Sequence, residues 1–188
     1  MRTLRVPASP NLRFGSPLPP ALKLVINIAP TEKDKYVRAF ELMRTKMVVY
    51  HSKHNIPWDQ PWIEANYRAK DNYSVKFHGT WIGFLSLEWK ESELYIHTFQ
   101  LAESIQGSIY GYRIFKWILA EAAGRGVSEF SRKSFKDNLA VDIYKKIGFE
   151  VVGSSGPFLD LHMSINKASK KGALAARLFQ QRYVKHEM

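Results

Sequence analysis

No cysteine occurs anywhere in the 188 residues, so disulfides, thiolate nucleophiles and zinc–thiolate sites are excluded by composition alone. Apolar runs approaching the roughly 20 residues of a membrane-spanning helix are also missing, and so is the apolar stretch of a signal peptide near the start. A cytoplasmic protein with no membrane partner is the expectation. The six histidines show no ligand spacing, and no bound metal is expected. Internal repeats and low-complexity tracts are absent as well. A chain of this length ordinarily makes one domain, with a core large enough to need no covalent staple.

Acidic side chains are in short supply, 17 against 28 lysines and arginines, which leaves a formal charge of +11. The excess sits at the ends: +4 over residues 1–31 and +5 over residues 166–188, with only +2 between them. A nearly neutral body with basic extremities makes the tails the candidate contact for a polyanion such as nucleic acid; solvated tails are the plain alternative.

Five of the nine prolines fall in the first 20 residues, so residues 1–21 read as an extended or disordered leader. Leu22, Leu24, Ile26 and Ile28 alternate as a strand does, and Pro30 stops it. Thr31 offers a helix cap ahead of Tyr36, Phe40, Met43 and Met47, which recur at helical spacing. The segment from His51 to Trp62, broken by Pro57 and Pro61, reads as a loop leading into a short helix near Ile63 to Arg68. Alternating runs at Tyr73 to Phe77, Trp81 to Trp89 and Leu94 to Leu101 predict an antiparallel meander, its first turn at His78-Gly79-Thr80. Beyond it the pattern predicts helix at Tyr110 to Ala123, strand at Val127 to Phe130, helix at Asn138 to Ile147, then strands at Phe149 to Val152 and Leu159 to Ile165. Gly124 and Gly126 end the first of these helices. Residues 166–188 read as a basic amphipathic helix, Leu174 pairing with Leu178 and Phe179 with Tyr183.

The segment Gln106-Gly107-Ser108-Ile109-Tyr110-Gly111, continuing as Tyr112-Arg113, joins a strand to a helix. The first N–H groups of a helix have no internal partner and its dipole favours negative charge, so two phosphates fit there, and glycines let the backbone come close. Such turns also occur with no ligand.

This turn and its surroundings resemble the GNAT N-acetyltransferase superfamily, whose CoA-binding turn reads Gln/Arg-x-x-Gly-x-Gly/Ala after a strand ending in a short apolar triplet. Gln106 and Gly111 match, and Phe99-Gln100-Leu101 stands at the triplet; Ile109 replaces the first glycine, a strained choice if the turn needs a positive φ there. Downstream, Asn138, Ala140, Tyr144 and Gly148-Phe149 resemble the second family signature, with Asn138 one residue off the commonest spacing. The resemblance spans residues 22–165 and excludes both tails.

The resemblance implies a mixed α+β fold with helices on both faces, its mostly antiparallel N-terminal strands splayed from the C-terminal strands. It implies acetyl-CoA as acyl donor, its pantetheine arm paired with Phe99, Gln100 and Leu101 and its pyrophosphate held by Gln106, Gly107, Ser108, Ile109, Tyr110, Gly111 and Tyr112. Asn138 joins this cofactor-binding set. Tyr144 matches the family tyrosine that protonates the departing thiolate. A base is expected on the strand before the turn, where Tyr95, His97 and Phe99 share a face by alternation, and His97 is the candidate, with Glu88 and Glu103 as competitors. A satisfied sheet histidine and a core tyrosine are the plain alternatives. With no cysteine to carry an acetyl group, direct transfer to an amine is implied, the acceptor unspecified. Arg132, Lys133 and Lys136 are expected just past a strand, free to meet the CoA 3′-phosphate or a polyanionic acceptor, or simply solvated. Trp58, Trp62 and Trp81 read as core or loop-anchoring aromatics. The competing function is a nucleic-acid or ribosome-associated binding module that keeps the fold as a non-catalytic scaffold. Oligomeric state is left open.

Overall fold

The computed structural model describes residues 26–106 and 109–165. The leader, Leu22, Leu24, Gly107, Ser108 and the basic C-terminal segment lie outside that range. Among the described residues, seven strands and four α-helices follow one another as β1 (Ile26–Pro30), α1 (Tyr36–Lys53), α2 (Gln60–Arg68), β2 (Asp71–Phe77), β3 (Thr80–Trp89), β4 (Glu93–Leu101), α3 (Ile109–Gly124), β5 (Glu129–Phe135), α4 (Ala140–Ile147), β6 (Glu150–Ser155) and β7 (Phe158–Ser164). Single 3₁₀ turns at Lys33–Lys35 and Glu103–Ile105 precede α1 and α3.

All strands join one sheet in the order β1-β2-β3-β4-β5-β7-β6. The first four form an antiparallel meander, and β5, β7 and β6 form a second antiparallel group. The groups meet at the sheet's one parallel junction, where β4 and β5 pair only over Glu93↔Glu129, Leu94↔Phe130 and Tyr95↔Ser131. Beyond that point the two strands part.

Helices cover both faces, and adjacent residues of β3 show why. Phe84 packs with Ala39 of α1 and Trp81, whereas Leu85 and Leu87 join Leu94, Ile96, Ile114, Ile118 and Phe130 in the main core under α3. Successive side chains of a strand point to opposite sides, so a continuously buried, mostly apolar run such as Trp81–Leu87 feeds two cores at once.

Several boundaries differ from the sequence reading for identifiable reasons. Thr31 does not cap a helix: its N–H donates to the Asn72 carbonyl (2.8 Å) and its hydroxyl meets Ser74 Oγ (3.2 Å), prolonging the β1–β2 pairing. The last turn of α1 contains His51 to Lys53, which had read as loop. Helix α2 starts three residues early, because Pro61 occupies its first turn, where a missing N–H costs nothing, and Asp59 Oδ1 accepts from Trp62 N (3.0 Å) as the cap. The β2–β3 connection is the two-residue His78-Gly79 turn, both residues at positive φ, as a type I′ hairpin demands. Strand β5 runs on through Phe135 because β7 pairs with every residue from Glu129 to Phe135, so Arg132 and Lys133 lie inside a strand rather than in a loop after it.

Gly83 locks the end of β4. A Cβ there would sit 2.6 Å from both the Gln100 carbonyl oxygen and Leu101 Cδ2. In an open strand interior, Gly→Ala stabilises by roughly 0.5–1 kcal/mol. Here Gly83→Ala is expected to destabilise by about 1–3 kcal/mol through overpacking, read as a lower denaturant midpoint; a higher midpoint would show that Gln100 and Leu101 are not held against β3.

Candidate active site

Where β4 and β5 diverge, a cleft of about 650 Å³ opens, lined from α1, α2, β4, the start of α3, β5 and α4. One wall is the free edge of β4. Ala102 N–H donates to Ile82 O (2.9 Å) on the β3 side; by antiparallel alternation the backbone groups of Phe99 and Leu101 then face away from β3, into the cleft. The Leu101 carbonyl accepts from Gln106 Nε2 at 3.0 Å, which bends the chain from the strand end toward α3.

A bulge in β4 decides which side chains meet. Ser86 pairs with Thr98 and Leu87 with Ile96, so His97 is the extra residue opposite the Ser86–Leu87 step. The bulge inverts the alternation beyond it. Tyr95 and His97 share a face as expected, but Phe99 does not join them: it pairs with Leu85 and packs on the main core beside Leu101.

His97 is set in a polar chain. Its Nε2 lies 2.9 Å from Glu88 Oε2, and Glu88 Oε1 accepts from Lys70 Nζ at 2.8 Å. Those two partners hold the Glu88 carboxyl down at about 2, so it is ionised and only accepts. Nε2 therefore carries the ring proton and Nδ1 is the acceptor. Burial pushes the His97 pKa below its usual value, opposed by the Glu88 charge, and favours the neutral ring. The Tyr95 and Tyr67 rings flank it at 4.5 and 6.0 Å, and Tyr67 Oη makes a long contact (3.4 Å) to the His97 carbonyl. Burial raises both phenols, Tyr67 to about 12, so both stay protonated. Glu103 is exposed on the rim, 3.7 Å from Lys46 Nζ.

Tyr144 lies across the cleft on α4, buried with its ring against Phe149 (5.8 Å) and under the Arg132 guanidinium, whose Cζ is 3.8 Å from the ring centroid. The apolar face Val141, Tyr144, Ile147 points it inward. Gly148, at φ +122°, ends α4 as L-residues rarely can, its N–H and that of Phe149 both donating to the Tyr144 carbonyl. Asn138 lines the cleft, and its Oδ1 accepts from Ala140 N (2.9 Å), so its side chain ties down the start of α4.

At the other end of the cleft, α3 begins at Ile109, which is helical in backbone, so the strain foreseen for a β-branched residue there does not arise. Gly111 and Tyr112 of its first turn line the cleft. A Cβ at Gly111 would touch only Leu101 Cδ1, at 3.8 Å. The protein's own packing does not demand glycine; its effect is to leave the first turn bare toward the cleft.

The opposite wall is the stretch from His51 to Trp62, broken by Pro57 and Pro61, a kind of segment that often faces substrates. His51, in the last turn of α1, stacks edge-on with Trp58 (4.9 Å) and Phe135 (5.5 Å); Trp81 is core, Trp58 packs against the Phe40, Met43 and Ile63 cluster, and both Trp58 and Trp62 line the cleft. Lys53 Nζ (2.6 Å) and His54 Nε2 (3.1 Å) both bind Asp137, bracing α1 to the loop after β5 across the splay and holding the Asp137 carboxyl at about 2. Among the described residues no cluster of three His, Cys, Asp or Glu side chains offers a metal site, and no helix is long and apolar enough to cross a membrane.

No family model and no curated protein sequence matches the chain. Solved structures do. The PaiA N-acetyltransferase of Thermoplasma acidophilum, in complex with coenzyme A, superposes with a TM-score of 0.60 at 14% identity, over 75% of this chain and 99% of that one. The ribosomal-protein-S18-alanine N-acetyltransferase of Escherichia coli gives 0.59 at 16% identity, over 75% and 94%. A GNAT family acetyltransferase of Elizabethkingia anophelis with acetyl-CoA bound gives 0.58 at 16%, over 74% and 97%. At such identities the likeness establishes the fold: a mixed sheet with a central splay, as in the GNAT acetyltransferases.

Proposed function

We propose that this chain, which has the GNAT fold, is an acetyl-CoA-dependent N-acetyltransferase that transfers the acetyl group directly to an amine. The observation that carries the reading is the parting of β4 from β5 after three residue pairs, which leaves a strand edge open toward a cleft that ends at a helix N-terminus. An extended pantetheine arm fits that edge by adding to the sheet as a strand would, at Phe99, Gln100 and Leu101. The pyrophosphate then meets the stretch from Gln106 into the first turn of α3 at Tyr112, where the positive end of the helix dipole and the bare Gly111 suit an anion.

Across this donor site stand two groups fit for proton transfer. A lysine-like amine of pKa about 10.4 is neutral about once in a few thousand molecules at pH 7. His97 Nδ1 takes its proton, directly or through water, while Glu88 is a positioning residue that fixes the tautomer. The amine nitrogen bonds to the thioester carbonyl carbon, the carbon–sulfur bond breaks, the Tyr144 hydroxyl supplies a proton to the leaving sulfur, and the proton shed by the acetylated nitrogen restores the tyrosine through water. Neither Glu88, ion-paired and acidic, nor rim-exposed Glu103 suits the base role.

Acetyl-CoA binding tests the reading. Calorimetry is expected to show saturable binding of acetyl-CoA, with ATP as a weak control. Gly111→Ala is expected to raise the melting temperature slightly, since alanine exceeds glycine by about 1 kcal/mol in a helix, yet weaken acetyl-CoA binding about tenfold by filling the bare face. No binding at millimolar acetyl-CoA would sink the proposal; equal binding by Gly111→Ala would remove the first turn of α3 from the phosphate site.

A further inference from the structure

Arg132 occupies an unusual place. It is the first residue of β5 past the last pair with β4, so it sits at the apex of the splay, and it is only 8% exposed. Its Nε and Nη1 are buried, and nothing among the described residues accepts from them. Arginine cannot relieve burial by shedding its proton, as lysine can, so a buried guanidinium calls for an anionic or hydrogen-bonding partner. The Tyr144 ring beneath it offsets part of the desolvation but accepts none of those N–H bonds.

The usual internal solution has been diverted. Arg132 pairs with Leu161 of β7, and Lys133 pairs with Asp160, so alternation sends Asp160 to the other face, where it binds Lys133 at 3.3 Å. Lys46, the remaining cation of the cleft, has Glu103 at 3.7 Å. Among the described residues no Asp or Glu lines the cleft. Of its three lining cations, Arg132 alone lacks a carboxylate among the described residues.

From this we infer that the acceptor is an amine bearing a carboxylate close to the reacting nitrogen, an amino acid with an apolar or aromatic side chain, and that Arg132 binds its carboxylate. The inference deepens the acetyltransferase reading and rests on it. A planar guanidinium matches a carboxylate with two parallel hydrogen bonds. Arg132 lines the same cleft as Tyr67, Tyr95 and His97 on one side and lies over the Tyr144 ring on the other, so a carboxylate held there leaves its α-amine between base and thioester. The same positive charge disfavours an ammonium beside it and so favours the free amine that attacks. Polyamines and aminoglycosides, which need acidic walls, find none among the described residues of the cleft.

The test measures CoA release with phenylalanine, tryptophan, leucine and methionine, each against its carboxamide, with spermidine and kanamycin as cationic acceptors and acetyl-CoA binding measured in parallel. At least one amino acid is expected to exceed its carboxamide about 30-fold in kcat/KM, a preference that Arg132→Gln abolishes and Arg132→Lys partly keeps, with acetyl-CoA affinity and melting temperature close to the parent. Preference for the carboxamide or a cationic acceptor, or acetyl-CoA binding with no amino acid acetylated, overturns the inference and leaves the acetyltransferase reading standing. An equal loss on acid and amide in Arg132→Gln also overturns it, assigning Arg132 to the thioester end. Failure to bind acetyl-CoA removes both readings. Should Arg132→Gln not fold, the acid-to-amide ratios of the parent and Arg132→Lys decide.

Discussion

Tyr144→Phe is expected to lower kcat by several hundredfold while the acetyl-CoA dissociation constant stays within about twofold. General acid catalysis by one positioned side chain is worth about 10²–10⁴ in rate. The substitution removes only a hydroxyl: the ring keeps its contacts with Phe149 and Arg132, and the backbone carbonyl keeps the two N–H bonds that close α4. A split between binding and turnover is therefore expected. The alternative, a tyrosine kept for packing, predicts a different pattern, because a Phe of nearly the same shape would then leave kcat within twofold. Initial-rate kinetics with calorimetry on the same preparation separates the two, and an unchanged kcat would take Tyr144 out of the chemistry.

His97→Gln is expected to lower kcat/KM about 100-fold at pH 7 and to flatten the acid limb of the pH profile. In the parent protein the limb should lie below the ordinary histidine value of about 6.5, because burial favours the neutral ring. Activity depends on that neutral form, so the rate falls as pH falls through the depressed value. Glu88→Gln moves the limb further down, since the carboxylate it removes had stabilised the imidazolium. The same shift bears on folding. A histidine whose folded value lies below its unfolded one binds fewer protons when folded, so its contribution is whole above about 6.5 and is lost as pH drops toward the depressed value. A limb that persists in His97→Gln would place the base elsewhere.

These expectations rest on residues that differ in how far they could be read from the chain. Gln106, Gly111, Tyr144 and Gly148-Phe149 carry their information locally: a strand-to-helix turn, one face of an amphipathic helix, a positive-φ helix stop. His97 was legible as a strand histidine near neutrality, but its partners were not, since Glu88 reaches it from β3, and Lys70, just past α2, reaches Glu88, only once the sheet pairs. The expectation that Phe99 shares its face failed because one extra residue in β4 inverts the alternation, and a bulge leaves no mark in the composition of a strand. Arg132 was misread for a similar reason. Beside Ser131, Lys133 and Ser134 it looks like a solvated basic loop; pairing with β7, not hydrophobicity, makes that stretch a strand and buries it.

Hydrophobic period, turn residues and cap chemistry act over a few residues, and they settled the order of strands and helices and the meander before any contact was known. The length of the β4–β5 junction, the bulge at His97, the diversion of Asp160 to Lys133 and the uncompensated charge of Arg132 depend on register between strands distant in the chain. Register is set by the summed packing of both faces of the sheet, a property of the folded whole that no local window contains.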